Sequence, residues 1–189
     1  MTQPQLLKLR KFQFLFMNAI IAVLFLLLFS LIHIGIGMRN FFILMSLLMI
    51  AQTMLLLFDK RPLIYRLSKN MAKLLEYEKE KLGNEWRKQQ KSQIIASVMV
   101  AIMFMMNANL MDNRQLFTGF GDVWEYILFF VFMLGIVNIP LYYHVKKVDR
   151  QSTEELQGYT KSMYISSLVT AIICFFTVAL ITAIISNFL

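Results

Sequence analysis

Few side chains in this sequence have the type and spacing that chemistry requires. The two histidines, His33 and His144, stand far apart with no carboxylate or cysteine at ligand spacing, so no metal site is expected. Cys174, the single cysteine, lies within an apolar run where a thiolate is poorly solvated, and it reads as a small packing residue. Asp112, Asp122 and Glu125 form one group of carboxylates beside a turn, a place more often solvated than arranged as general acid and base. The chain has no glycine-rich phosphate loop, no serine in a glycine-flanked elbow and no His and Cys pairing. The expectation is a protein that is not an enzyme and carries no cofactor.

The chemically interesting groups that remain are polar side chains within or next to apolar runs: His33, Gln52, Asn107, Asn109 and Asn138. An amide buried in lipid seeks a partner, most often on a neighbouring helix, for a gain of about 1 kcal/mol or less. These five are the candidate intramembrane binding residues.

The elements that must position them follow from composition. Of 189 residues, 58% are apolar or aromatic and only 16% are charged, which points to lipid as the solvent and to a single integral membrane domain over 1–189. The net charge of +8 does not call for nucleic acid, because nearly all of it falls in segments on one expected side of a bilayer. Abundant Met, Phe, Ile and Lys with few Gly and Pro fit an AT-rich bacterial genome.

Apolar runs predict five transmembrane helices, at about 12–35, 41–58, 94–111, 123–145 and 163–188. The first is too long for a secretory signal and no small-x-small cleavage site follows it. Gly35 to Asn40 makes a tight corner into the second run, and Gly119 and Gly121 are turn residues before the fourth. Pro140 interrupts the inner half of the fourth span and frees a carbonyl there, which Asn138 is placed to stabilise. Ser152 and Glu155 have the spacing of a capping box ahead of the fifth.

Between the second and third spans lies the one long polar stretch, 59–93, with ten of the nineteen Lys and Arg residues. Ile64, Leu67, Met71, Leu74, Leu75, Leu82 and Trp86 recur mostly at intervals of three, four or seven, the pattern of an amphipathic helix after Pro62. Gly83-Asn84 is the expected break, with a second helical piece running from near Glu85 into the third span. Glu76–Lys79, Glu78–Lys81 and Lys81–Glu85 are at helical spacing for surface ion pairs. Ile64, Leu67, Met71, Leu74 and Trp86 are therefore the expected contacts to a partner or to lipid.

With the N-terminus inside, seventeen Lys and Arg fall in cytoplasmic segments and only Arg39 and Arg114 fall outside. The bias predicts a multi-pass protein of the cytoplasmic membrane, N-terminus in and C-terminus out. A shift of 70 residues also aligns the segment starting at Lys91 with that starting at Lys161, including Ser92 with Ser162 and Ala101 with Ala171, as a duplicated hairpin would.

No span holds a charged residue at its middle, as ion-coupled transport usually needs. The expected function is association, with the bilayer and with another membrane protein or a second copy, in an accessory, regulatory or immunity-type role. The alternative is a small transporter or permease subunit that works as an oligomer or with a separate ATPase.

Overall fold

The computed structural model describes residues 1–59, 61–110 and 123–166. Among them every regular element is helical, and there is no strand. In chain order these are α1 (Gln3–His33), α2 (Met38–Asp59), α3 (Leu63–Arg66), α4 (Lys69–Leu82), α5 (Asn84–Leu110) and α6 (Val123–Arg150). Residues 159–166 are helical as well. The expected fifth span runs past residue 166 and lies outside the described residues. So do Asp112, Asp122, Cys174, the turn at Gly119 and Gly121, and most of the second repeat copy.

Four of the described helices are long and apolar enough to cross a membrane: Gln3–His33, Met38–Phe58, Asn84–Leu110 and Phe129–Arg150. Leu24, Leu27, Leu47, Met99, Met106 and Val131 are more than half exposed on them, which suits side chains whose solvent is lipid.

Contacts fix the helix directions. Arg10 meets Asp149, Asn18 meets Asn138, Phe25 meets Phe130 and Phe29 meets Tyr126, so residue numbers rise along α1 as they fall along α6. The two helices are antiparallel. Phe42 with Phe104 and Ser46 with Ala101 give the same relation for α2 and α5. There the buried Ser46, Thr53, Ser97, Ala101 and Ala108 let the backbones come close, and the Ser46 hydroxyl donates to the Ala101 carbonyl at 3.0 Å. Close backbone approaches pair α1 with α6 and α2 with α5, while α4 touches α1, α5 and α6 and ties the pairs together at one end.

Local sequence explains the joints. Gly35 adopts φ 79° between α1 and α2, as the Gly35–Asn40 corner predicts. The polar stretch divides at two points, and only the second is expected from sequence. Ser68 ends the first piece, because its hydroxyl accepts the Asn70 N–H at 3.2 Å and starts α4. Gly83, at φ 51°, ends α4, and α5 then runs unbroken from the polar stretch into the span. Ser152 and Glu155 do form reciprocal backbone to side-chain bonds, at 2.8 and 3.3 Å. They close a turn, however, and the helix starts only at 159, after Gly158 at φ 76°.

Candidate functional site

One end of the span pairs is closed by α4, and how it closes follows from its spacing. Met71, Leu74, Leu75, Glu78 and Leu82 are its buried residues, a single helical stripe in which one member is a carboxylate. Leu82 packs with Val148, Leu156 and Tyr159, and Tyr77, Trp86 and Met163 lie against them. This satellite core joins α4, α6 and the segment beyond.

Glu78 is 1% exposed and sits at the centre of a charged cluster. Arg10, 4% exposed on α1, donates from Nη1 to Glu78 Oε1 at 2.6 Å and to Gln13 Oε1 at 2.9 Å. Its other edge grips Asp149 on α6, Nε to Oδ2 at 3.0 Å and Nη2 to Oδ1 at 2.6 Å. A planar guanidinium matches a carboxylate in this two-point way, and a lysine does not. The Arg10 guanidinium also lies 5.8 Å from the centre of the Tyr77 ring. Arg10 thus makes contacts with α4 and α6 and with its own helix at once.

His144 completes the cluster. Its Nε2 is 3.4 Å from Glu78 Oε1, and its Nδ1 is 2.5 Å from the Tyr159 hydroxyl oxygen. Tyr65, on α3, donates to the second Glu78 oxygen at 3.4 Å. Burial alone would raise the Glu78 pKa, but the His144 hydrogen bond and charge, followed by Arg10, hold it below the usual carboxylate range. Burial first, and then the Glu78 charge, push Tyr159 up to about 12. Tyr65 is pushed up by the same two causes in the same order, and Tyr77 is raised by burial and then by Asp149.

Glu85 makes a second joint nearby. Its carboxylate accepts the Thr160 N–H at 2.9 Å and the Lys88 ammonium at 2.7 Å, while its carbonyl accepts the Thr160 hydroxyl at 3.1 Å. Gln89 lies against Met163, its Nε2 3.2 Å from the sulfur, so residues 159–166 run parallel to the start of α5. The beginnings of the two repeat-like limbs therefore lie side by side.

Two expectations about carboxylates are corrected. Glu78 and Glu85 do not make surface pairs with Lys81, because Glu78 falls on the buried stripe of α4 and Gly83 breaks the helix before Glu85. The signal for Glu78 was present in the sequence: it stands three residues after Leu75 and four before Leu82, in step with the apolar positions. His144 likewise stands one turn before the fully buried Val148.

The sequence candidates do not converge. Asn107 and Asn109 donate to carbonyls of their own helix, those of Met103 at 2.8 Å and Met105 at 3.1 Å. Asn138 donates to Asn18 Oδ1 at 2.7 Å and to the Leu134 carbonyl at 2.8 Å, a polar bridge between α1 and α6 two residues before Pro140. Gln52 is half-buried on α2, and His33 is exposed beside Phe29 at the opposite end of the molecule from the cluster. Of the expected partner contacts, Met71 and Leu74 are buried within the chain itself, at 1% and 0% exposure, and Trp86 packs on the satellite core. Ile64 is half-buried, and Leu67 is exposed.

Tyr159, His144 and Glu78 stand in the order of a nucleophile, a base and an orienting acid. The Tyr159 hydroxyl is nonetheless buried, and its pKa moves away from the ionised form that attack requires. What the cluster does chemically is to cross-link α1, α3, α4, α6 and the segment after α6 by charge and hydrogen bonds. Among the described residues no group of three or more His, Cys, Asp or Glu is placed to hold a metal. No protein family, curated protein or solved structure compared with this chain matches it.

Proposed function

We propose that this is a non-enzymatic integral membrane protein that acts by association with another membrane component, in an accessory, regulatory or immunity-type role. The observation that carries the reading is the open pairing of the spans. Close backbone approaches join α1 to α6 and α2 to α5, and α4 and residues 159–166 link the pairs at one end. On the flank of α2 and α5 is a cavity of about 290 Å³, lined by Ser46, Ile50, Thr53, Val98, Ala101 and Met105 among others. Small residues beside longer aliphatic ones are the surface that another span packs against in lipid. Among the described residues the buried Arg10, Glu78 and Tyr159 are bonded to partners within the chain, which supports an associating role over a catalytic one.

In this reading the chain has five spans and a cytoplasmic amphipathic helix, with N-terminus in and C-terminus out in the cell membrane. The bias of Lys and Arg toward the α4 end supports that orientation. Extraction in mild detergent is the test. A stoichiometric membrane partner or a defined homo-oligomer is expected to copurify, and substitution of Ile102, which lines the same cavity and is exposed, by Trp is expected to release it while leaving the monomer folded. Recovery of monomer alone from native membranes would count against the proposal, and a reporter active only in the cytoplasm when fused after Leu189 would overturn the topology.

The permease-subunit reading draws on one feature, the Asn18–Asn138 bridge beside Pro140, where α1 and α6 have a polar joint within the apolar region. Co-isolation with an ATPase would favour it over the first.

A further inference from the structure

The apolar stripe that begins at Ile64 divides at Ser68, and its two parts meet different surroundings. From Met71 on, the stripe is covered by the chain itself. Before Ser68 the apolar side chains point both ways. Ile64 and Tyr65 are half-buried, and Tyr65 donates to Glu78. Phe58 at the end of α2 is 83% exposed, and Leu63 and Leu67 are 45% and 61% exposed. The elbow between α2 and α4 thus has an inner face held by the chain and an outer face of exposed apolar side chains.

One hydrogen bond sets the level of that outer face. Arg66 Nη2 donates to the Leu55 carbonyl at 3.3 Å, one helical turn before the end of α2. The chain therefore doubles back after α2 instead of running straight out, and α3 stands beside the last turn of a helix long and apolar enough to cross a membrane. Leu63 and Leu67 are level with the edge of the hydrocarbon, where apolar side chains leave water without crossing the bilayer.

Charge selects the lipid. Residues 60–73 contain Lys60, Arg61, Arg66, Lys69 and Lys73 and no carboxylate. Arg61, Arg66, Lys69 and Lys73 are exposed. Carboxylates return only at Glu76, and Glu78 is turned inward onto Arg10. Cations interleaved with exposed leucines at the foot of a span match a leaflet whose headgroups are anionic.

We propose that this elbow is a docking surface for anionic phospholipid. Leu63 and Leu67 enter the interface, and Arg61, Lys69 and Lys73 hold headgroup phosphates. Tyr65 joins the same short helix to Glu78, so the seated elbow anchors α4 and the charged cluster to the leaflet. The proposal rests on α2 as a span, and on neither a protein partner nor the cavity between α2 and α5.

The experiment places a spin label on Leu67→Cys in the full chain, with Cys174→Ser removing the native thiol. The protein is held in nanodiscs of phosphatidylcholine, with and without phosphatidylglycerol. Oxygen concentrates in lipid and a nickel chelate stays in water, so oxygen access alone means lipid, nickel access means water, and loss of both means protein contact. Position 67 is expected to read as lipid, with an oxygen-to-nickel ratio that rises when phosphatidylglycerol is added. A label on Glu80→Cys, at an exposed position of α4, is expected to read as water in both.

Each cation beside an anionic leaflet contributes about fivefold in affinity. Combining Arg61→Gln, Lys69→Gln and Lys73→Gln is therefore expected to abolish the rise. Added salt is expected to weaken it in the unsubstituted elbow by screening, which keeps the charge test alive if the triple variant fails to fold. A label on Leu48→Cys, at an exposed position midway along α2, reports insertion separately. Lipid at 48 with water or protein contact at 67, or a ratio indifferent to phosphatidylglycerol, would overturn the proposal alone. Water at 48 would overturn the span reading and the proposal with it.

Discussion

Arg10 and Asp149 close on each other through two parallel hydrogen bonds, of 3.0 and 2.6 Å, although 139 residues separate them in sequence. The same guanidinium holds Glu78, so one side chain ties the start of α1 to α4 and to the end of α6. Removing it leaves a buried carboxylate without its cation. Arg10→Met is expected to destabilise the protein by about 3–5 kcal/mol, the cost of breaking a buried pair from one side. Arg10→Lys is expected to recover only part of this, since an ammonium cannot make the two-point contact. Combining Arg10→Met with Glu78→Gln should be milder than Arg10→Met alone. Thermal unfolding in a mild detergent ranks the three, and a fully stable Arg10→Met protein would refute the cross-link.

Glu78 also sets an acid limit. Burial opposes its ionised form, but His144 and Arg10 outweigh that and depress its pKa below the ordinary value of 4.5. For a carboxylate depressed on folding, the stabilisation is present in full above the unfolded value and is lost as pH falls through the folded one. Wild type and Glu78→Gln are therefore expected to differ most at neutral pH and to converge below about pH 4.5. Unfolding midpoints of both proteins between pH 7 and 3 are the measurement, and parallel curves would show that Glu78 carries no such linkage.

Much of this architecture was legible because it rests on local or compositional signals. Apolar runs mark the four described helices that are long and apolar enough to cross a membrane, although α1 and α5 begin well ahead of their runs, at Gln3 and Asn84, and Gly35, Gly83 and the Ser152–Glu155 pair mark joints. The cluster was not legible in the same way. Arg10 and Asp149 look like any charges at the end of a span until antiparallel pairing of α1 and α6 brings them level, and pairing is a non-local fact. Glu78 was partly legible: its register with Leu74, Leu75 and Leu82 puts it on the buried stripe, but a lysine three residues on offers a competing surface reading. Met71 and Leu74 share one face of α4, and what that face covers is the chain's own interior.

The Asn18–Asn138 bridge gives a separate prediction for the apolar region. Asn138 has two acceptors, one on α1 and one on its own helix, so truncation removes an interhelical bond while leaving Asn18 to find water or backbone. Polar contacts between membrane helices are worth about 0.6 kcal/mol on average and rarely more than about 1.7. Asn18→Ala and Asn138→Ala are each expected to cost in that range, and the double variant little more than either alone. A double-mutant cycle measures the coupling, and strict additivity would mean the two amides do not act as a pair.

The α2–α5 contact depends on what is small. Ser46 is 1% exposed and Ala101 is 5% exposed, and the hydroxyl of the first reaches the carbonyl of the second. Loss of that one bond is mild, so Ser46→Ala is expected to cost less than about 1 kcal/mol. Added volume is different, because the backbones approach at these positions and have no slack to take it up. Ser46→Leu is expected to cost about 1–3 kcal/mol, the range found for overpacking a close contact. It should also separate the two helices, which a spin-label pair placed at Leu48 and Met99, both exposed, would read as a longer distance. The contrast decides the mechanism: if Ser46→Ala costs as much as Ser46→Leu, the hydrogen bond holds the pair together, and if only Ser46→Leu is damaging, close backbone packing does.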